Sequence, residues 1–455
     1  MATNRPLLLA VAMAFAVGGC APQTLGERPA VAVPAAWTSG GQQGVAAVPD
    51  ASWWTAFESP ELTRLLDQAA ANNPDLAASR QRIAQAIAQV EVAGAGLLPT
   101  LDGSGSATRN WSGEGRTSNA FRLGLSAAYE VDVWGRNRYA AEAAEASYAA
   151  SEFDHRAAEL SLAAQVATAY FQYLSANDRI ANARRILAIA ERVLSLVETR
   201  ESFGTASGLD LAQQRLAVAS LRANLPSLEQ SRVQTRNALA ALLGLPPQDL
   251  ALEGESLQSI SLPAISPGIP AEVLERRPDL RRAEAQLVAA QANLGAARAA
   301  MFPSIRLTGS TGYSSDELAN LFSPSGLISS LAAGLTAPLF DGNRLAGQRD
   351  AAEAREAEVV ANYRSAVISA FQDVEDALAA VRFSDELQRA QEASAVQARQ
   401  AYELAEVRYR TGAIDFLSVL DAQRSLFQQE DALEQVRLAR LTSVVGLYRA
   451  LGGAW

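Results

Sequence analysis

From Arg136 to Phe203, and again from Gln348 to Thr411, the chain contains neither Pro nor Gly. This feature restricts the fold more than any other, because the first stretch would span roughly 100 Å as one α-helix. Within it Val166, Tyr173, Ile180, Leu187 and Leu194 recur every seventh position, and Ala169, Ala176, Ala183, Ala190 and Val197 form a second row three residues later. In the second stretch Val360, Tyr363, Val367, Phe371, Val374, Leu378 and Val381 advance by threes and fours. Both patterns average about 3.5 residues per turn, which demands left-handed supercoiling. Return helices are expected at about 209–243 and 415–451, joined to the long helices at about 136–203 and 343–411 by Gly-containing tips. Those tips are Gly204-Thr205-Ala206-Ser207-Gly208 and Gly412-Ala413-Ile414. The expectation is two antiparallel coiled hairpins, a shape for which a compact enzyme has no use.

The hairpins belong to a duplication. Asn73-Pro74-Asp75-Leu76 recurs as Arg277-Pro278-Asp279-Leu280, and the same offset carries Leu98-Pro99 onto Phe302-Pro303 and Gly105 onto Gly309. Further on, Asn137-Arg138 matches Asn343-Arg344, Glu198 and Arg200 match Glu406 and Arg408, and Gln214-Arg215 matches Gln423-Arg424. The offset drifts slowly, as small insertions would make it. Two structural repeats follow, at about 59–262 and 263–455, each with one plan of short helix, strand pair and two long helices.

The strand pairs show period-two alternation. Phe121, Leu123, Leu125, Ala127, Tyr129, Val131 and Val133 alternate with Arg122, Gly124, Ser126, Ala128, Glu130 and Asp132. Leu331, Ala333, Leu335, Ala337 and Leu339 do the same in the second repeat. Strands are expected at about 98–109, 121–133, 302–313 and 328–340, separated by polar loops at 110–119 and 314–325. Their length, alternation and aromatic ends at Trp111, Tyr129, Trp134 and Tyr313 suit outer-membrane strands. Four strands cannot close a bilayer-spanning barrel, and open edges are not tolerated in lipid. Several subunits must therefore contribute to one barrel: eight strands from two copies, or twelve from three.

Composition removes most chemistry. All 39 basic residues are Arg, and there is one His and one Cys. Without Lys there is no P-loop lysine and no Schiff base; the lone His and Cys leave no multi-ligand zinc site. Carboxylate-only glycosidase chemistry survives that filter but needs a compact cleft. No cofactor and no catalytic or metal residue is expected. A net charge of −10 argues against a nucleic-acid partner. His155, on a heptad helix amid charged neighbours, is expected to face solvent.

The N-terminus reads as an address. An apolar run from Leu7 to Val17 follows Arg5 and leads into Val17-Gly18-Gly19-Cys20. The run is shorter than the ~20 residues a spanning helix needs, so 1–19 is expected to be a signal peptide. Cys20 after small residues resembles a bacterial lipobox, which implies lipid attachment at Cys20, and Ala21 resembles the outer-membrane sorting pattern. The stretch 20–58, rich in Pro, Ala and Gly, is expected to be an acylated irregular arm.

Taken together, Asn73-Pro74-Asp75-Leu76, Tyr129-Glu130-Val131-Asp132-Val133-Trp134-Gly135-Arg136, Arg277-Pro278-Asp279-Leu280, Pro338-Leu339-Phe340-Asp341-Gly342, Arg408-Tyr409-Arg410-Thr411-Gly412 and Leu420-Asp421-Ala422-Gln423-Arg424-Ser425 resemble an outer-membrane factor of the TolC/OprM type, in its NodT-like lipoprotein branch. The resemblance implies a mainly α protein with membrane β: a homotrimer whose twelve-stranded barrel continues into a periplasmic helical tunnel. It also implies a mixed α/β belt, here the arm, 244–266 and the last residues. The implied function is passive efflux of drugs or other small toxic compounds, driven by an inner-membrane RND-type transporter through a periplasmic adaptor. The alternative is a duct for metal ions or for type I protein secretion. By resemblance Gly204, Thr205, Ala206, Ser207, Gly412 and Ala413 meet the adaptor. Leu417, Asp421 and Arg424 fall on one helix face and match the family's periplasmic constriction. Their first-repeat counterparts are taken as Gln213 and Gln214, which carry no charge, so the gate is expected to differ between hairpins.

Overall fold

The computed structural model describes residues 29–39, 52–113, 116–263 and 268–453. The signal segment and Cys20 lie outside them. In chain order the main elements are helices α1 (Pro60–Asn72) and α2 (Pro74–Gly94), strands β1 (Thr100–Trp111) and β2 (Thr117–Val131), and helices α3 (Arg136–Ser202), α4 (Gly208–Leu242), α5 (Pro270–Arg276) and α6 (Pro278–Ala299). Strands β3 (Ser304–Ser315) and β4 (Leu327–Thr336) and helices α7 (Arg344–Arg410) and α8 (Phe416–Ala450) follow. By contacts the chain divides into two compact units, and each draws on both repeats: Ile83–Ser151 with Arg282–Arg364, and Val31–Arg82 with Glu152–Arg281 and Ser365–Trp455.

The first unit holds one antiparallel sheet in the order β1-β2-β3-β4. The two repeat hairpins join through β2 and β3, from Phe121 opposite Ser315 to Val131 opposite Ile305. Leu101 faces Ala127, Leu123 faces Tyr313 and Gly309 faces Leu331, so the odd-numbered positions of all four strands share one face. That face is open: Leu101, Leu125, Leu331 and Leu335 are all more than half exposed. Strands β1 and β4 each pair on one side only among the described residues.

Strand limits differ from the sequence reading in two places. The β1-β2 ladder continues through Trp111 opposite Thr117, well into the expected polar loop. Backbone pairing does not depend on side-chain polarity, so an alternation of hydrophobicity underestimates where a hairpin turns. At the other end β4 stops at Thr336 rather than near 340. Pro338 has no N–H to donate to a ladder, and Leu339 and Phe340 are left 96% and 94% exposed.

Where strands give way to the long helices, both repeats use an aspartate as a cap. Asp132 accepts the backbone N–H groups of Asn137 and Arg138, at 3.1 and 2.9 Å, and Asp341 accepts that of Leu345 at 3.0 Å. Trp134 stacks on Phe302 at 4.8 Å and donates its indole N–H to the Pro303 carbonyl at 2.7 Å. The aspartate bonds account for the Asp that both repeats carry ahead of their long helix, whereas the Trp134 contact belongs to the first repeat.

The second unit shows what the other duplicated motif is for. Asn73 caps α2 by accepting the N–H groups of Asp75 and Leu76, and its amide donates to the Leu242 carbonyl at the end of α4. Its counterpart Arg277 donates to the Ala450 carbonyl at the end of α8 and is held by Asp279 and Asp373. Each repeat thus ties the start of its short helix to the end of its own return helix. The approach is close: a Cβ on Gly244 would sit 2.4 Å from the Asn72 carbonyl oxygen, and one on Gly452 would sit 3.0 Å from Arg276. Both glycines also have positive φ, 69° and 92°, so the C′ positions need glycine for conformation and for space.

Two apolar cores stand out among the described residues of this unit. One gathers Trp53, Phe57, Leu62 and Leu65 against Tyr170 and Phe171 of α3, Leu239 of α4 and Val445 and Tyr448 of α8. The buried Glu61 carboxylate is satisfied by the wholly buried Tyr170 hydroxyl at 3.0 Å, by the Glu253 N–H at 2.7 Å and by Arg64 at 3.3 Å. The other core, nearer the tips, joins Ile186, Val193 and Val197 to Tyr402, Tyr409, Phe416, Val419 and Leu420. Along α3 the alanine row is buried throughout, while Tyr173, Leu187 and Leu194 of the large row are only half-buried. The short alanine side chains mark the close helix seam; the large row extends past what this chain alone covers.

Two sequence readings are corrected here. His155 does not face solvent: its Nδ1 lies 2.7 Å from the Ser79 hydroxyl and its Nε2 lies 3.2 Å from Glu159. Ser79 comes from α2, a partner that local sequence could not reveal. The stretch from Gly244 to Pro263 contains the short 3-10 turns Pro247–Asp249 and Leu257–Ser259, with no strand among the described residues. No described helix is long and apolar enough to cross a membrane.

Candidate functional site

The tip of each hairpin is built by a glycine and a cap. Gly204 and Gly412 have φ values of 74° and 77°, the left-handed conformation that ends a helix and turns the chain. Ser207 accepts the Asp210 N–H while Asp210 accepts the Ser207 N–H, a reciprocal box that starts α4. Asp415 plays the same part for α8 by accepting the N–H and hydroxyl of Ser418 at 3.0 and 2.6 Å. Those bonds hold its carboxyl below the usual carboxylate range. The two tips also touch. The Arg200 guanidinium lies 4.5 Å over the Tyr409 ring and donates to the Arg410 carbonyl at 2.9 Å.

Of the tip residues singled out in the sequence, Gly204, Thr205, Ser207, Gly412 and Ala413 are exposed. Ala206 is half-buried and packs on the core beneath, as Ile414 does. Sequence reasoning missed two neighbours. Phe203 is 79% exposed and Leu209 is 66% exposed, large apolar side chains on the flanks of the first tip. Their only sequence signal was an apolar residue out of heptad phase.

Leu417, Asp421 and Arg424 stand together on the exposed face of α8, with Leu417 half exposed and Arg424 3.8 Å from Asp421. The opposite face of the same turns carries Val419, Leu420 and Gln423 into the core. Gln423 is 3% exposed, yet neither of its amide atoms has a hydrogen-bond partner. Gln214 is wholly buried on α4 and donates to the Ala190 carbonyl at 2.7 Å. Gln214 is therefore the spatial match of Gln423 rather than of the exposed pair, which revises the first-repeat counterpart inferred from sequence. The residue after it, Arg215, is exposed and pairs with Glu198 at 3.1 Å.

Above this segment α8 is held by ion pairs. Glu430, 4% exposed, receives Arg185 of α3 at 2.5 Å and Arg399 of α7 at 2.6 Å. Next to it Asp431 receives two guanidinium bonds from Arg179, at 2.7 and 3.1 Å. A bidentate Arg–carboxylate pair fixes orientation as well as charge. Among the described residues no group of three or more His, Cys, Asp or Glu could hold a metal ion.

An open-faced four-stranded sheet, two capped hairpins and a charged face beside one tip define a class of exit ducts through the outer membrane. The chain belongs to the outer membrane efflux protein family, whose match covers residues 65–245 and 269–453, one segment in each repeat. It is 41% identical over 447 residues to the pyoverdine export outer membrane protein OpmQ of Pseudomonas putida, covering 95% of this chain and 94% of that one. The antibiotic efflux pump outer membrane protein ArpC of Pseudomonas putida is 36% identical, with 99% and 96% covered. The cation efflux system protein CusC of Escherichia coli is 34% identical, with 98% of each chain covered. A solved structure of CusC superposes with a TM-score of 0.87 at 31% identity, covering 96% of this chain and 100% of that one. The protein is an outer-membrane efflux channel with a periplasmic helical tunnel.

Proposed function

We propose that the chain is the passive exit duct of a tripartite pump for drugs or other small toxic compounds. It works as a homotrimer, acylated at Cys20 and coupled through a periplasmic adaptor to an RND-type transporter. The observation that carries the reading is the sheet: one apolar face open along all four strands and both edges unpaired among the described residues, in a chain of this family. Such a sheet is stable in lipid only when copies close its edges, and three copies supply twelve strands. The chain performs no catalysis in this reading; energy enters from the transporter. Similarity to both an antibiotic and a pyoverdine channel supports small organic cargo. Similarity to CusC keeps metal-ion export as the second reading.

Gly204, Thr205, Ala206, Ser207, Gly412 and Ala413 form the adaptor contact, with Phe203 and Leu209 adding exposed apolar surface. Leu417, Asp421 and Arg424 line the periplasmic gate. Three copies of Asp421 around a narrow mouth would repel anions and attract cations. The test is single-channel conductance of the acylated protein in a planar bilayer, for wild type and for Asp421→Ala with Arg424→Ala. Small or infrequent steps in wild type that enlarge in the double variant are expected. Steps that the substitutions leave unchanged would move the gate elsewhere, and no discrete conductance from an inserted oligomer would end the duct reading.

A further inference from the structure

The two hairpins carry the same buried glutamine in different states. On α4, Gln214 donates its amide N–H to the Ala190 carbonyl of α3, and only its oxygen is left without a partner. On α8, Gln423 is equally deep and bonds to nothing. An amide buried without partners costs free energy, and any displacement of α8 that lets it find a carbonyl or water lowers that cost. The core around it, Phe416, Val419, Leu420 and Leu426, is apolar and non-directional, so it resists sliding less than a polar lattice would.

Ties between α7 and α8 have a sharp lower limit. Arg440 bonds Gln388 and Asp385, Ser384 bonds Ser443, Gln391 bonds Gln429 and Arg399 bonds Glu430. Toward the tip from Gln429 and Glu430, no further side-chain hydrogen bond or ion pair joins α7 to α8 among the described residues. Glu430 is also where α8 is fastened to α3, because the same carboxylate takes Arg185. One buried acid thus holds three helices at the last fixed point before the face that carries Asp421 and Arg424.

We infer that Glu430 is the positioning residue of the gate: it anchors α8 to α3 and α7, and the segment from Phe416 to Phe427 moves about that anchor, with Gln423 favouring displacement. The inference rests on the gate reading above. Glu430 touches no cargo and acts through the position of Asp421 and Arg424.

The experiment is single-channel recording in planar bilayers on the acylated full chain carrying Glu430→Gln, Gln423→Leu or Gln214→Leu, beside the Asp421→Ala, Arg424→Ala double variant. Glu430→Gln keeps the shape and weakens the anchor. Gln423→Leu removes the unpaired amide and favours the arrangement described. The ratio of open to shut time should therefore move in opposite directions in these two, ending about tenfold apart, the scale of one unsatisfied buried polar group. Gln214→Leu should leave the ratio where wild type has it. A residue that merely supports the fold would not give opposed signs, and Gln423→Leu, apolar among apolar neighbours, keeps the test open if Glu430→Gln inserts poorly. Shifts of the same sign, or none, while the double variant still enlarges the steps, would overturn the anchor and leave the gate standing. A double variant without effect would instead remove the gate, and the anchor with it.

Discussion

The α3/α4 and α7/α8 hairpins have one length, one tip design and one duplicated origin, yet they are stitched differently. Arg184 pairs with Glu229, Arg222 with Glu191 and Arg215 with Glu198, so salt bridges run down α3/α4 to within a few turns of its tip. All three pairs are about half exposed, and Gln214 adds a buried bond. In α7/α8 the polar ties between the helices end at Gln429 and Glu430. The first hairpin spreads weak, solvent-screened contacts over its length; the second concentrates a buried charge at one level and leaves the rest to apolar packing. On the gate reading proposed above, the first hairpin would keep the wall of the tunnel while the second moves its mouth.

That contrast is sharpest in the acids themselves. Glu430→Ala would leave Arg185 and Arg399 without their shared partner. It should lower the unfolding free energy by about 3 kcal/mol, the lower end for breaking a buried pair because both guanidiniums remain half in water. Glu229→Ala removes one exposed partner and should cost at most ~1 kcal/mol. Denaturant midpoints of the detergent-solubilised proteins compare the two, and equal losses would break the distinction.

At the tips the hairpins should behave alike. Gly204→Ala and Gly412→Ala each force a side chain into positive φ, with nothing within 4 Å of the added Cβ at either site, so each should cost about 1 kcal/mol from backbone strain alone. A clearly larger loss at one tip would place the asymmetry in the turns instead of the stitching. Between the return helices the buried glutamines should separate again. Gln214→Leu loses one hydrogen bond, to a carbonyl that keeps its place in the α3 helix, for at most about 1 kcal/mol, whereas Gln423→Leu should be neutral or stabilising. Thermal midpoints that fall equally in both would mean that Gln423 is bonded after all.

Much of the fold class was legible because its determinants are periodic. Heptads in a stretch without Pro or Gly require long coiled helices, and alternation at Phe121 to Val133 fixes which face of a strand is apolar. Alternation does not say which strand is the neighbour, so the pairing of β2 with β3 across the two repeats had to come from the structure. The exposed face of Leu417, Asp421 and Arg424 follows from helical spacing alone. The burial of Gln423, one residue from Arg424, does not, because glutamine in a polar run reads as surface. Glu430 was invisible for a related reason. Its partners Arg185 and Arg399 are distant in sequence and lie on two different helices, and a chain whose cations are all Arg offers many equivalent candidates. His155 was misread on the same ground, since Ser79 reaches it from another helix.

The smallest expected effect concerns a second buried acid of α8. The equivalent helix of the first repeat, α4, buries no acid, while α8 buries Glu430 and Glu434. Burial raises the Glu434 carboxyl above its ordinary range; Arg437, at 2.8 Å, draws it down, and Asp178 of α3 pushes it up again. Its second oxygen has no hydrogen-bond partner. With the folded value above the unfolded one, protonation favours the folded chain. The contribution is complete below the ordinary carboxylate range, falls as the pH rises through that range to the folded value, and stays absent at neutrality. Glu434→Gln should therefore raise the thermal midpoint at neutral pH and leave it unchanged at about pH 4, where the carboxyl is largely protonated in either state. A midpoint that falls at neutral pH would mean that the Arg437 contact outweighs burial, and that an ion pair within α8 itself stabilises the helix one turn beyond Glu430.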